Sequence, residues 1–270
     1  IQTILTKAWG NRGIWFDAVR KKIRIDKGPG KGLEPKVAAT ALSNWFYSTF
    51  KIKVPSGIVK EQLYLAACAN THDDLATYLR GLAWDGVPRL ATWLKDYAGA
   101  SDEGTAEYLA LVGTKWLVSC VARALDPGCK VDTVMVLEGA GGLRKSTLFK
   151  ILGGEWFTDA AINVEDKDSK MYCSTRWILE LAELTGIRKG DVEAIKQYLA
   201  VTEDDFRIPY GDQMDTFPRR VVFGATVNPK NNNGYLMGDL GERRIWIVPC
   251  SRNADFVQIT KDRDQLWAEA

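Results

Sequence analysis

Residues 139–147 read Gly139-Ala140-Gly141-Gly142-Leu143-Arg144-Lys145-Ser146-Thr147, three glycines followed by two cations and two hydroxyls. Glycines let successive backbone N–H groups converge on one anion, and a helix opening here would aim its positive end at the same point. Lys145 is then placed to reach the β- and γ-phosphates of a nucleotide, and Ser146 to ligate Mg²⁺. The pattern is G-x-x-x-x-R-K-S where a phosphate loop normally reads G-x-x-x-x-G-K-S, so Arg144 stands in a glycine position. An arginine is possible there if its φ is negative, and its guanidinium could face phosphate; it could instead block the site.

Three further groups could serve such a loop. The apolar run ending in Glu180 and Glu183 offers one carboxylate to hold Mg²⁺ and another to polarise water. A second run, 221–228, ends in Asn228, which either orients the hydrolytic water or merely opens an Asn-Pro turn. Arg243 and Arg244 precede a third run; a neighbouring subunit could supply them to a transferring phosphoryl group, or they form surface ion pairs. Residues 205–220 resemble a hairpin turning at Gly211-Asp212, and Arg207, Arg219 and Arg220 point either to DNA or to Asp204 and Asp215. Histidine chemistry is confined to His72, the only histidine, which sits in a polar stretch that suits a surface or capping role. The five cysteines contain no C-x-x-C pair, which points to a reducing compartment and buried thiols.

The elements that must carry these groups are legible as periodicities. Apolar runs of strand length lie at 131–137, 176–181, 220–227 and 244–248, with helical spacing at 147–152 and 190–199. Strands alternating with helices imply an α/β sheet with parallel members, beginning near residue 130. Before it, helical spacing recurs at 37–47, 61–69, 73–79, 90–97 and 106–125, after a hairpin at 9–26 and a Gly/Pro-rich loop at 27–35. The expected segments are thus a basic arm over 1–60, a helical domain over 61–130 and an α/β core over 131–270. Among 270 residues, 46% are apolar and no uninterrupted apolar run nears the roughly 18 of a membrane span, so a soluble protein is expected. Residues 1–60 carry 12 basic and 3 acidic side chains, the remainder 24 and 31. A basic arm suits nucleic acid or is simply a solvated surface. Trp9, Trp15, Phe16, Trp45, Phe46 and Tyr47 interleave with it, as base-stacking groups or as core. The chain begins at Ile1 and stops in a helical stretch, 264–270, which suggests a piece of a longer protein.

Taken in order, LEGAGGLRKST, WILELAEL, Lys196, FRIPYGDQMDTFPRRVVFGATVN and GERRIW resemble the virulence-associated protein E family of phage and genomic-island replication proteins. GLAWDGVPRLATWL and KWLVSCVARALDPGCKVDTVMVLEG extend the resemblance over about residues 75–270, whereas 1–60 match only loosely. The family is related to superfamily 3 and D5-like helicases. It implies an AAA+-like P-loop ATPase core after a mainly helical N-terminal region, hexameric rings with nucleotide sites between subunits, and a primase-polymerase module in the same or a neighbouring chain. By resemblance, Lys145 and Ser146 are Walker A, and Glu180 or Glu183 is the Walker-B acid. Glu183, 13 residues before Lys196, has the spacing of related helicases. Asn228 corresponds to sensor 1, and Arg243 or Arg244 to the arginine finger. Lys196, Arg207, Arg219 and Arg220 are the candidates for DNA contact. The implied protein is an ATP- and Mg²⁺-dependent DNA helicase of the bacterial cytoplasm with no membrane partner, cut short of the C-terminal helices that aid assembly. Its alternative is a DNA-binding scaffold whose nucleotide site Arg144 has degraded.

Overall fold

Lys22 and Arg24 alternate with Ile23 and Ile25, and this period-two pattern forms the hairpin expected there. In the computed structural model, which describes all residues except 11, 102–103, 162–165, 183–195, 208–214 and 229–242, the chain divides into two compact units, Ile1–Asp74 and Leu75–Ala270. The first unit begins with α1 (Gln2–Trp9), then β1 (Ile14–Asp17) paired antiparallel with β2 (Lys22–Ile25). Helices α2 (Pro35–Phe50) and α3 (Ser56–Cys68) follow, and β3 (Thr71–His72) returns parallel to β1. Pro35 opens α2 where its missing N–H costs nothing, and Lys51 closes it in the left-handed conformation. Leu42 and Phe46 of α2 meet Val59 and Leu63 of α3 in one core, with Trp9, Phe16 and Trp45 packed against it. Trp15 is buried too, its Nε1 donating to Asp26 Oδ2 at 2.7 Å, and His72 stands edge-on to its ring. Five of the six interleaved aromatics are therefore core or packed on it; Tyr47 is 51% exposed.

The second unit carries α4 (Asp74–Arg80, whose first residue closes the preceding unit), α5 (Trp93–Asp96) and α6 (Ala106–Leu125), followed by the sheet. Its strands are β4 (Val134–Glu138), β5 (Phe157–Thr158), β6 (Ile178–Ala182), β9 (Val222–Val227) and β10 (Ile245–Pro249), all parallel, in the order β10-β4-β9-β6-β5. Between β6 and β9 lies an antiparallel ribbon, β7 (Glu203–Phe206) with β8 (Asp215–Pro218); its expected turn at 211–212 falls outside the described residues. The unit also holds helices α7 (Lys145–Gly153), α8 (Lys167–Ser174) and α9 (Phe256–Glu269); residues 196–200 are helical as well, and the rest of the helix expected at 190–199 lies outside the described residues. Four apolar runs thus became strands as expected, and the two-residue β5 was too short to show any period.

The division falls at 74/75 rather than at 60 and 130 because α6 belongs to the sheet. Trp116 Nε1 donates to Phe223 O at 3.0 Å, and Trp177 Nε1 donates to Cys120 O at 2.7 Å. Among the described residues one helix, α6, is long and apolar enough to pass for a membrane span, yet it buries a continuous face, including Trp116, Leu117 and Cys120, inside its own unit. Helix α7 reaches the sheet equally closely. A side-chain carbon at Gly224 would lie 2.5 Å from the Phe149 ring, so glycine in β9 is the condition for that contact. Leu148, Phe149 and Leu152 are fully buried, each contributing about 1.5–3 kcal/mol.

Candidate functional site

The order of the sheet decides which strand tips become neighbours. β9 lies between β4 and β6, with Val227 opposite Glu138 and Thr226 opposite Ala182. The glycine-rich loop leaving β4, the acid of β6 and the Thr226/Asn228 pair of β9 are therefore delivered to one edge. Such an edge is where open parallel sheets hold ligands.

The loop itself is strung between its neighbours. Gly139 N donates to Val227 O at 3.1 Å, and Ala254 N donates to Leu143 O at 3.1 Å. A carbon added at Gly139 would sit 2.3 Å from Cys250 O, so β10 can close on the loop only because position 139 has no side chain. Ala140, Gly141, Gly142, Ser146 and Thr147 are exposed, and Leu143 is half-buried. Arg144 occupies the N-cap of α7 and gives no side-chain cap, which leaves the first amides of that helix for an outside acceptor.

Lys145 is 6% exposed, and its Nζ donates to Gly139 O (2.8 Å), Ala140 O (2.9 Å) and Asn228 Oδ1 (3.0 Å). All three acceptors are neutral. Burial lowers its pKa, partly opposed by Cys250 and Glu180. The result is a fixed cation held by dipoles, suited to a polyanion arriving from solvent.

Glu180 is 2% exposed, and its Oε1 accepts from Ser146 Oγ and Thr226 Oγ1, both at 2.6 Å. Its Oε2 is buried and has no hydrogen-bond partner among the described residues. A buried carboxylate oxygen left unpaired costs free energy unless a cation completes it. Ser146 and Glu180 therefore fit Mg²⁺, a hard ion that takes one or two protein oxygens and finds the rest in phosphate and water. Among the described residues there is no cluster of three or more His, Cys, Asp or Glu, so the fit is to a phosphate-borne ion rather than a protein cage.

The structure corrects two expectations. Arg144 has φ +62°, not the negative φ that its fit was expected to need, and its guanidinium lies 4.4 Å over the Phe256 ring. The strain of a left-handed L-residue is about 1–2 kcal/mol; the exposed cation–π contact returns about 0.5–1 kcal/mol. Arg219, expected to reach DNA, is 1% exposed: Nε donates to Asp204 Oδ2 at 3.0 Å and Nη1 to Tyr198 O. The ion-pair alternative with Asp204 holds, and a buried side chain cannot meet a nucleic acid.

Of the others, Arg220 is half-buried with Nη1 on Ala124 O at 3.0 Å, Lys196 is half-buried, and Arg207 is exposed at the end of β7. Glu183 lies outside the described residues, so Glu180 is the acid the structure places at the site. Arg243 is exposed, and Arg244 lies 3.5 Å from Asp132 Oδ2. Both precede Ile245, which pairs with Val134 at the far end of β4. Five strand residues, about 16 Å, separate them from the loop of their own chain. Thr226 was missed as a site residue, though its position two before Asn228 puts both on one side of a strand. Phe256 gave no sequence signal.

The sequence model of the virulence-associated protein E-like domain matches residues 79–270. Among solved structures, an apo A form of the NrS-1 C-terminal region (305–718) is similar, with a TM-score of 0.50 and 12% identity over 99% of this chain and 67% of that one. A second A-form apo structure of that region gives a TM-score of 0.51 at 11% identity, with the same coverage. At such identities the likeness is one of fold. No curated protein matches the chain.

Proposed function

We propose that this chain, which belongs to the virulence-associated protein E-like family, is an ATP-hydrolysing DNA motor of phage or mobile-element replication. The observation that carries the reading is the single cluster at the sheet edge: Lys145 on Asn228, and Ser146 with Thr226 on Glu180, beneath the uncapped first turn of α7. Each part has one task in phosphoryl transfer. The amides of the loop and of α7 bind the phosphates, and Lys145 neutralises their β/γ charge. Asn228 accepts from Lys145 through Oδ1, and its amide nitrogen, without a partner among the described residues, would orient a water beside the γ-phosphate. Mg²⁺ at Ser146 and Glu180 would supply further charge neutralisation of the leaving oxygens.

Arg243 and Arg244 lie too far from the loop of their own chain to serve it. An arginine finger from this pair therefore acts on an adjacent copy, which is the geometry a ring, such as a hexamer, supplies. DNA then passes such a ring with Arg207 and Lys196 as contact candidates, with a primase-polymerase module in the same or a neighbouring chain, in the host cytoplasm. A second reading, a DNA-binding scaffold that binds but does not hydrolyse ATP, rests on one observation, the strained Arg144 at the mouth of the loop.

The test is steady-state ATP hydrolysis with Mg²⁺, with and without single-stranded DNA. DNA-stimulated turnover that Lys145→Ala reduces at least 100-fold, with circular dichroism unchanged, supports the motor. Turnover that survives Lys145→Ala refutes the site assignment, and tight ATP binding without turnover in wild type favours the scaffold.

A further inference from the structure

Helix α2 buries Pro35, Ala38, Ala39, Leu42 and Phe46; besides Thr49 and Phe50 at its end, it leaves Lys36, Val37, Thr40, Asn44, Tyr47 and Ser48 exposed. Those six recur at intervals of three and four, so they form one stripe along the helix. Lys51 and Lys53 continue it, with Lys53 Nζ 5.9 Å over the Tyr47 ring. From 35 to 60 the chain has four lysines and no acidic residue, within a unit, residues 1–74, that carries 12 basic and 6 acidic side chains. A helix face that meets only water usually mixes both signs. This one combines a single sign of charge with an exposed amide, hydroxyls and one phenol. Among the described residues the Asn44 amide has no hydrogen-bond partner.

We propose that this face of α2 docks in the major groove of duplex DNA. Sixteen helical residues extend about 24 Å, which fits within one helical turn of duplex, about 34 Å. Lys36 and Lys53 lie near the two ends of the stripe, where the phosphate backbones on either side of a groove run. Asn44, near its middle, has the donor and acceptor needed to bridge adenine N6 and N7, and Val37 can meet a thymine methyl. The absence of carboxylates from 35 to 60 is the charge complementarity that favours a polyanion over a protein partner. Duplex is favoured over single strand because the outward stripe offers hydrogen-bonding groups on a rigid rod and only one ring, Tyr47, not already packed on other rings, since the exposed Phe50 lies against Trp45 and Phe46, whereas single-strand sites stack successive bases. The inference does not depend on the nucleotide site.

The experiment is fluorescence anisotropy of the full chain with a labelled 20-base-pair duplex and a single strand of equal length, over a salt series. Lys36→Glu/Lys53→Glu is expected to weaken duplex binding at least tenfold and lower the slope of log affinity against log salt by about 2. Asn44→Ala is expected to weaken it severalfold without changing that slope. Guanine N7 positions in the bound duplex should be protected from methylation. Far-UV circular dichroism and basal ATP turnover matching wild type show that the variants fold. Duplex affinity unchanged in the charge-reversed variant overturns the proposal, as does single-strand binding that is tighter than duplex binding and alone responds to the substitutions. Lys145→Ala should bind duplex as wild type does, so loss of the motor reading leaves this one standing.

Discussion

Arg144 provides a substitution whose sign runs against the usual rule. At an ordinary loop position with negative φ, glycine is less stabilising than alanine by about 0.4–1 kcal/mol, because it frees the unfolded chain. At φ +62° the balance changes. Alanine keeps the left-handed strain of about 1–2 kcal/mol, and glycine removes it. Both lose the stacking on Phe256, about 0.5–1 kcal/mol at an exposed site, so that loss cancels between them. Arg144→Gly should therefore be about 1 kcal/mol more stable than Arg144→Ala, and close to wild type. Equilibrium urea unfolding followed by tryptophan fluorescence measures the difference directly, since Trp116, Trp156, Trp177 and Trp267 lie in the same unit. Alanine equal to or above glycine would show that position 144 is not left-handed in solution. In the ATPase assay the same pair separates conformation from charge. Gly restoring turnover that Ala does not would assign the effect of residue 144 to the backbone.

Further expectations follow from the buried groups. Glu180→Gln keeps the hydrogen bonds from Ser146 and Thr226 at one oxygen but removes the charge that a metal needs. Mg²⁺-dependent turnover should fall at least 100-fold while nucleotide binding in EDTA stays near wild type, and an unchanged rate would remove Glu180 from the site. Arg219→Met strands the 4%-exposed Asp204 and should destabilise by about 3–5 kcal/mol. Adding Asp204→Leu should recover most of that loss, and a double variant as unstable as the single one would contradict the ion-pair account. Burial pushes the Cys250 thiol from about 9 up to about 11, with Lys145 opposing. Above pH 9 the unfolded thiol ionises while the folded one does not, so this contribution, about 3 kcal/mol, is present below pH 9 and lost between pH 9 and 11. The alkaline decline of stability should be shallower in Cys250→Ala, and parallel curves would contradict it.

What the sequence revealed and what it hid divide along physical lines. Val134–Glu138, Ile178–Ala182 and Val222–Val227 were legible because strands buried on both faces must be apolar throughout, and that pattern is local. Lys145 and Ser146 were legible because their chemistry depends on neighbours in sequence. The allegiance of α6 was not, since its apolar face says only that it is buried, and Trp116 meets Phe223 across more than a hundred residues. The fate of Arg219 was equally hidden. A cation in a charged ribbon looks the same whether it faces solvent or Asp204. Arg144 shows a third kind of limit. Its φ is imposed by where β4 ends and α7 begins, and residue type alone would have argued against that conformation.

The order β10-β4-β9 also has a consequence for how the protein is made. The strand that precedes the phosphate loop has no sheet partner near it in sequence: it waits for Val222–Val227 on one side and Ile245–Pro249 on the other. Gly139 meets Cys250, and Leu143 receives Ala254, only after those residues have left the ribosome. At about 5–20 residues per second, the roughly 110 residues in between impose a delay of about 5–20 s. Until Val222–Val227 is made the apolar strand Val134–Glu138 has neither of its neighbours, and until Ile245–Pro249 follows it has only one. Nascent chains stalled before residue 250 should therefore be where chaperone dependence and aggregation concentrate, and nucleotide should protect only those released beyond it.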